Sequence, residues 1–116
     1  MDTNVNTSGD VHGGEAVYDA HVPYTENVPL VFPDFTLTFL GIHDIVLDNG
    51  ATLSLQTYDY RIEDNDKEQQ VLKIGNGQLP NPPRDFSVGN KIFTLWTGVG
   101  PDGKLLDRGT LIVERK

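Results

Sequence analysis

The sequence predicts an antiparallel β-sandwich, and three features carry that prediction. Phe35, Leu37 and Phe39 alternate with Thr36 and Thr38, which is the period-two pattern of a half-buried strand. Turn-forming clusters recur at about the 8–12-residue spacing of short strands joined by tight turns. Almost no stretch shows the 3.6-residue repeat of an amphipathic helix. A partly open β-barrel is the alternative, because long bent strands of the kind read below make the corners of barrels as well as of sandwiches.

Taken in order, residues 1–14 form a polar tail that ends in His12-Gly13-Gly14, with little to bury in exchange for the entropy of ordering them. Residues 15–116 form a single β domain, since 116 residues suit one core. Ala16, Val17 and Tyr18 supply a short apolar patch that adds an edge strand or docks on the core. Leu30, Val31 and Phe32 lead to a break at Pro33-Asp34, and the central strand follows over 35–42. Gly41 interrupts the alternation, which predicts a bulge or bend near His43-Asp44 and a change of direction or sheet there.

Asp48-Asn49-Gly50 is the strongest hairpin turn, because Asn and Gly tolerate positive φ. It leads into a strand over 52–62. Leu53 and Leu55 share one parity while Tyr58, Tyr60 and Ile62 share the other, so either a one-residue bulge is expected near Gln56-Thr57 or the strand is long and passes from one buried environment to another. Asn65 and Glu68 have capping-box spacing, which allows one helical turn before Val71-Leu72; the other reading is a strand over 69–74. The Gly- and Pro-rich segment 75–85 is the longest loop. Residues 85–91 then read as a short strand and tight turn. The last hairpin has arms at 92–97 and 109–114 and a tip at Gly100-Pro101-Asp102-Gly103, where proline presets the first φ and glycine takes the left-handed position. In its second arm Leu111 and Val113 point inward, and Ile112 breaks the alternation. The expected layering is immunoglobulin-like in architecture alone, since the cysteine pair of antibody domains is absent.

Composition narrows the function. A net charge of −8 repels nucleic acid and anionic lipid and favours a basic protein partner. The absence of cysteine removes thiol chemistry and cysteine-ligated zinc. No apolar run reaches the roughly 18 residues of a membrane span, so membrane insertion is not expected. The segment from Met1 to Asp10 resembles the polar tether behind a signal peptide or lipid anchor, which favours a periplasmic or extracellular setting.

No catalytic arrangement emerges. Ser8, Ser54 and Ser87 lack a nucleophile-elbow context. His43 and Asp44 are strand neighbours and point to opposite faces. His12, His21 and His43 lack ligand spacing. Asp64, Asp66 and Glu68 come nearest to a calcium-loop pattern, yet the glycine and distal glutamate of such a loop are missing, and they read as a solvated turn. Gly75-Asn76-Gly77 and Gly98-Val99-Gly100 precede no helix and read as turns rather than phosphate cradles. Asp59 and Arg61 share a strand face and read as an exposed ion pair. Trp96 has the parity of Ile92 and Thr94 and not that of Phe93 and Leu95, so one of the two rows must leave the core; if it is the tryptophan row, it marks a binding surface.

The function expected is therefore a non-catalytic binding or accessory module, monomeric and without a cofactor. It engages a protein through a sheet face or the loops at 75–85 and 98–103. The contact residues are Tyr58, Tyr60, Trp96, Asn76, Gln78 and Arg84, the aromatics as a stacking platform. Two alternatives are a calcium-dependent carbohydrate-binding or small hydrolase-like protein using Asp64, Asp66, Tyr58 and Trp96, and a structural subunit that adds a partner's strand to an exposed edge.

Overall fold

Alternation at 35–39 resolves into one long strand at the middle of a five-stranded sheet. The computed structural model describes residues 14–50, 52–75 and 81–116. The strands are β1 (Gly14–Glu15), β2 (Val22–Pro23), β3 (Leu30–Val31), β4 (Phe35–Val46), β5 (Thr52–Asp64), β6 (Gln69–Gly75), β7 (Arg84–Val88), β8 (Lys91–Trp96) and β9 (Thr110–Arg115), with no helix among the described residues. They form two sheets, in the orders β1-β3-β4-β5-β6 and β2-β9-β8-β7, and these do not join into a closed barrel. All pairings are antiparallel except that of β1 with β3.

Each sheet contributes one face to a common core. Leu30, Phe35, Leu37, Tyr60, Ile62, Leu72 and Ile74 come from the first sheet; Val22, Phe86, Phe93, Leu95, Leu111 and Val113 come from the second. Phe35 joins them: its ring meets Phe86 at 5.3 Å and Phe93 at 5.1 Å, both edge-on. Edge-to-face rings are worth about 0.5–1.5 kcal/mol each beyond the burial itself. Phe32 stacks on Phe35 across the Pro33-Asp34 turn, which the Phe32 N–H closes onto the Phe35 carbonyl at 2.8 Å. Ala16 and Tyr18 both dock and extend an edge: β1 precedes them, and Tyr18 stacks on Phe32. Gly14, which composition places in the tail, pairs with Leu30.

The turns form where their residues predict. Gly50 donates to the Leu47 carbonyl at 2.8 Å with φ 86°, and Gly103 donates to the Gly100 carbonyl at 2.9 Å with φ 83°. Gly89, with φ 62°, opens the two-residue link from β7 to β8. An irregularity near His43-Asp44 is present as expected, but the strand does not change sheet there. Irregularities flank that dipeptide, between Phe39 and Gly41 and between Asp44 and Val46, and β4 stays paired with β5 throughout. The first leaves Leu40 unpaired and frees the Phe39 carbonyl, which accepts from the Asn27 N–H at 2.7 Å. Gly41 is required there: its φ is 101°, and a β-carbon would stand 3.1 Å from the Glu26 carboxyl carbon.

The second irregularity puts 53–55 opposite Ile45 alone, two residues more on β5 than on β4, while Gln56 and Thr57 pair regularly with Asp44 and His43, so the one-residue slip expected near that dipeptide is not found there. The side chains of Leu53 and Leu55 lie outside the described residues, as do the tail 1–13 with His12 and Ser8, the side chain of Ser54, and residues 76–80 of the long loop. At 64–68 there is no helical turn. The Lys67 N–H returns to the Asp64 carbonyl at 3.0 Å and Lys67 takes φ 69°, which makes a β5–β6 hairpin. Asp64 is the reason: its Oδ1 accepts from the Asp66 and Glu68 N–H groups, both at 2.9 Å, and closes the turn locally.

Where β6 and β7 approach, side chains replace a backbone ladder. The Gln70 amide donates to the Ser87 carbonyl at 2.7 Å, and the Arg84 guanidinium donates to the Lys73 carbonyl at 2.8 Å. Both satisfy carbonyls on edge strands, which are otherwise templates for pairing with another chain.

The face assignment of β8 has a direct test. Leu95 is fully buried while Ile92 is 50% exposed. Leu95→Ala is expected to cost about 2–5 kcal/mol in urea denaturation, and Ile92→Ala less than about 1 kcal/mol.

Candidate functional site

Because Phe93 and Leu95 fill the core, the other row of β8 faces outward, and Trp96 goes with it. Glu114 and Ile112 lie opposite Thr94 and Trp96 on β9. The Trp96 indole N–H donates to Glu114 Oε1 at 3.1 Å, so the ring is held against the sheet. Thr94 donates to Asp85 Oδ1 at 2.7 Å. The connection from β8 to β9 folds back over this face. Val99 bridges Leu105, and the Leu106 N–H reaches the Gly98 carbonyl at 2.9 Å. That fold buries Gly100, where an added β-carbon would meet Asp102 Oδ1 and Leu106 Cδ2 at 3.3 Å and Ile112 Cδ1 at 3.5 Å. It also explains why Ile112 is apolar on an outward position: the loop covers it.

Between this loop and the crossover from β1 to β2 lies a hollow of about 270 Å³, lined by Asp19, His21, Pro101, Asp102, Ile112 and Glu114. Asp19 is fixed by its N–H, which donates to the Val113 carbonyl at 2.8 Å, and it holds the left-handed conformation at φ 61°. Asp102 Oδ1 accepts from the Lys104 N–H at 3.0 Å. Three carboxylates around an isoleucine floor and a proline wall suit a side chain with an apolar stem and a cationic head.

The structure does not assemble the aromatic platform expected from the sequence. Tyr60 is fully buried between the sheets, where burial pushes its phenol far above the usual range, and its hydroxyl faces that of Tyr24 at 3.4 Å. Tyr58 stacks on Phe39 at the margin of the same core. Trp96 stands on the far side of the other sheet. Arg84 serves the β6–β7 seam, and Asn76 and Gln78 lie outside the described residues. Asp64, Asp66 and Glu68 belong to the β5–β6 turn; among the described residues no three His, Asp or Glu side chains converge as metal ligands.

Sequence reasoning missed a second polar cluster. Asp59 is buried on the outer face of the five-stranded sheet and does not serve as an exposed partner for Arg61. Its Oδ2 lies 2.7 Å from His43 Nδ1 and accepts from Lys73 Nζ at 2.9 Å, while Oδ1 accepts from the Thr57 hydroxyl at 2.7 Å. Burial pushes this carboxyl upward, but the Thr57, His43 and Lys73 donors outweigh it and hold Asp59 below the usual carboxylate range. The partner of His43 is thus Asp59, on the adjacent strand β5 and two residues from its register partner Thr57, and not its neighbour Asp44. One signal was present: aspartate is disfavoured in mid-strand, so an acid between two tyrosines implies specific partners.

A depressed folded pKa stabilises above the unfolded value, near 3.9, and the benefit is lost as pH falls through the folded one. Asp59→Asn turns an amide N–H toward two donors and is expected to cost about 1–3 kcal/mol at neutral pH. In urea melts the difference from the parent should shrink once pH drops below about 4. A constant difference from pH 7 to pH 3 would show that the charge of Asp59 is not what matters.

No helix of the described chain is long and apolar enough to cross a membrane. Comparison with protein-family models, curated proteins and solved structures finds no match to this chain, which leaves the chemistry of its surface as the ground for a functional reading.

Proposed function

We propose that this chain is a non-catalytic binding module that engages a basic segment of a protein partner on the outer face of the four-stranded sheet. The observation that carries the reading is the outward indole of Trp96 beside a hollow rimmed by Asp19, Asp102 and Glu114. An amphipathic ring held in one orientation gives contact area at little entropic cost, and tryptophan is enriched where binding energy concentrates. The carboxylates add charge complementarity to a lysine or arginine, and the net charge of −8 speeds its approach. The scaffold is read as an antiparallel β-sandwich, supported by the core that the two sheets share. The immunoglobulin-like reading has less behind it: β3 to β6 and β7 to β9 follow one another as meanders, whereas that architecture uses Greek-key connections.

Trp96 is the only tryptophan, so its emission reports the site. Titration with a blocked arginine-rich peptide is expected to change that emission saturably. The double substitution Asp19→Asn and Asp102→Asn should weaken binding about tenfold, roughly 1.4 kcal/mol, because asparagine keeps the left-handed backbone and the turn acceptor while removing charge. Unchanged emission at millimolar peptide, or equal affinity in the double variant, counts against the reading.

A further inference from the structure

One lining residue of the hollow beside Trp96 is neither a carboxylate nor part of its apolar floor and wall: His21. It directly precedes β2, whose Val22 is buried in the core and pairs with Leu111. Successive side chains of an extended chain leave opposite faces, so His21 goes to the outer face. The register of β2 carried back by one residue sets it across from Ile112, at the floor of the hollow. The imidazole is exposed, and among the described residues it has no hydrogen-bond or ion-pair partner. His43, by contrast, is tied to Asp59 on the other sheet.

Charged groups approach His21 from three elements. Asp19 lies two residues back on the same crossover, Asp102 on the β8–β9 connection, and Glu114 on β9 two residues beyond Ile112. Asp102 and Glu114 are held by neutral donors, the Lys104 backbone N–H and the Trp96 indole N–H, and keep their charge uncompensated. Two cations belong to the same neighbourhood. Arg115 stands 3.9 Å from Asp19 in an exposed pair of little strength, and the Lys104 ammonium makes no ion pair among the described residues.

Resting on the binding of a basic segment proposed above, we infer that His21 makes that binding depend on pH. The hollow accepts a cationic side chain while the imidazole is neutral and gives it up when the imidazole is protonated. Imidazole is the side chain whose ordinary titration falls between about pH 5 and 8. Neutral, it is an uncharged wall beside Ile112 and Pro101. Protonated, it puts a positive charge into the same space of about 270 Å³ that the incoming head must share, and it competes for the carboxylates that would hold that head. Repulsion and competition have the same sign, so affinity is highest above the titration of His21 and falls as pH drops through it. Linkage makes the effect reciprocal: a bound cation lowers the proton affinity of His21, and binding at intermediate pH expels a proton. Between exposed charges in one hollow the effect amounts to about threefold to fivefold in affinity, and salt reduces it.

The test follows Trp96 emission while the whole chain is titrated with a blocked arginine-rich peptide at a series of pH values from about 8 down to about 5.5, at constant low ionic strength. Guanidinium groups keep their charge throughout, so the peptide itself does not titrate. Affinity is expected to fall at least about threefold over that range in the parent and equally in His43→Gln. In His21→Gln the ratio should stay below about 1.5-fold, whatever the affinity itself becomes, with the melting temperature of each variant recorded at each pH. The imidazole resonances of His21 should titrate at lower pH with saturating peptide than without it. Constant affinity in the parent, an equal fall in a folded His21→Gln protein, a fall abolished by His43→Gln, or a His21 titration that the peptide leaves in place overturns the pH control while the binding site stands. Unchanged emission at millimolar peptide at every pH overturns the binding reading and this inference with it.

Discussion

The structure depends on one ring. Phe35 opens β4 in the five-stranded sheet, yet it meets Phe86 and Phe93 of the other sheet edge-on and stacks on Phe32 of its own turn. Two sheets with one apolar face each have no reason to stay apart, but among the described residues no backbone hydrogen bond of a ladder joins them, so their relative position rests on side-chain packing. Tyr18 adds to the same cluster through Phe32, Phe35 and Phe93, which ties the crossover from β1 to β2 into the core. The hollow beside Trp96 is tied to this cluster through Asp19, which follows Tyr18 in the chain. Tyr18 also donates to Asp34 at 2.6 Å and lies beneath the Arg115 guanidinium.

What keeps the sheets from closing is visible at the β6–β7 edge. Gln70 has the inward parity of Leu72 and Ile74, and Arg84 that of Phe86. At those positions an apolar residue would continue the core, and strands at ladder distance would leave no room for long polar side chains. Gln70 and Arg84 instead span the gap and satisfy the carbonyls of Ser87 and Lys73. A barrel removes its edges by closure, whereas this chain guards two edges with side-chain donors.

The sequence was legible where local rules decide. Alternation located β4, and Asp48-Asn49-Gly50 and Gly100-Pro101-Asp102-Gly103 turned as glycine requires. It was not legible where long-range contact decides. The two-residue strands β1, β2 and β3 have no periodicity to read, and they exist because Leu37 and Leu111 offer ladder positions to Leu30 and Val22. The additional irregularity at Leu40 was not legible, because there Gly41 takes φ 101° beneath Glu26, a residue fifteen positions away. Polarity also misled. Thr38 and Asp59 alternate correctly and face away from the core, yet both are buried, since burial on an outer face is set by what lies over it and not by the strand. Tyr58, Tyr60 and Trp96 looked like one platform because parity is defined within a strand and says nothing of which way a second sheet faces.

The same parity rule sorts the charged residues at the end of β9. β9 ends Ile112, Val113, Glu114, Arg115, and successive side chains of a strand leave opposite faces. Ile112 and Glu114 therefore go to the outer hollow as its floor and rim, while Arg115, across from Phe93, leaves from the other face and lies over the Tyr18 ring. Arg115 nonetheless reaches the Asp19 carboxylate at 3.9 Å, so an ion pair links the end of this strand to the rim of the hollow. Ile112, the residue that breaks the amphipathic pattern of the last strand, is the mark of this division: it is apolar on the outward side because that side, too, has something to cover.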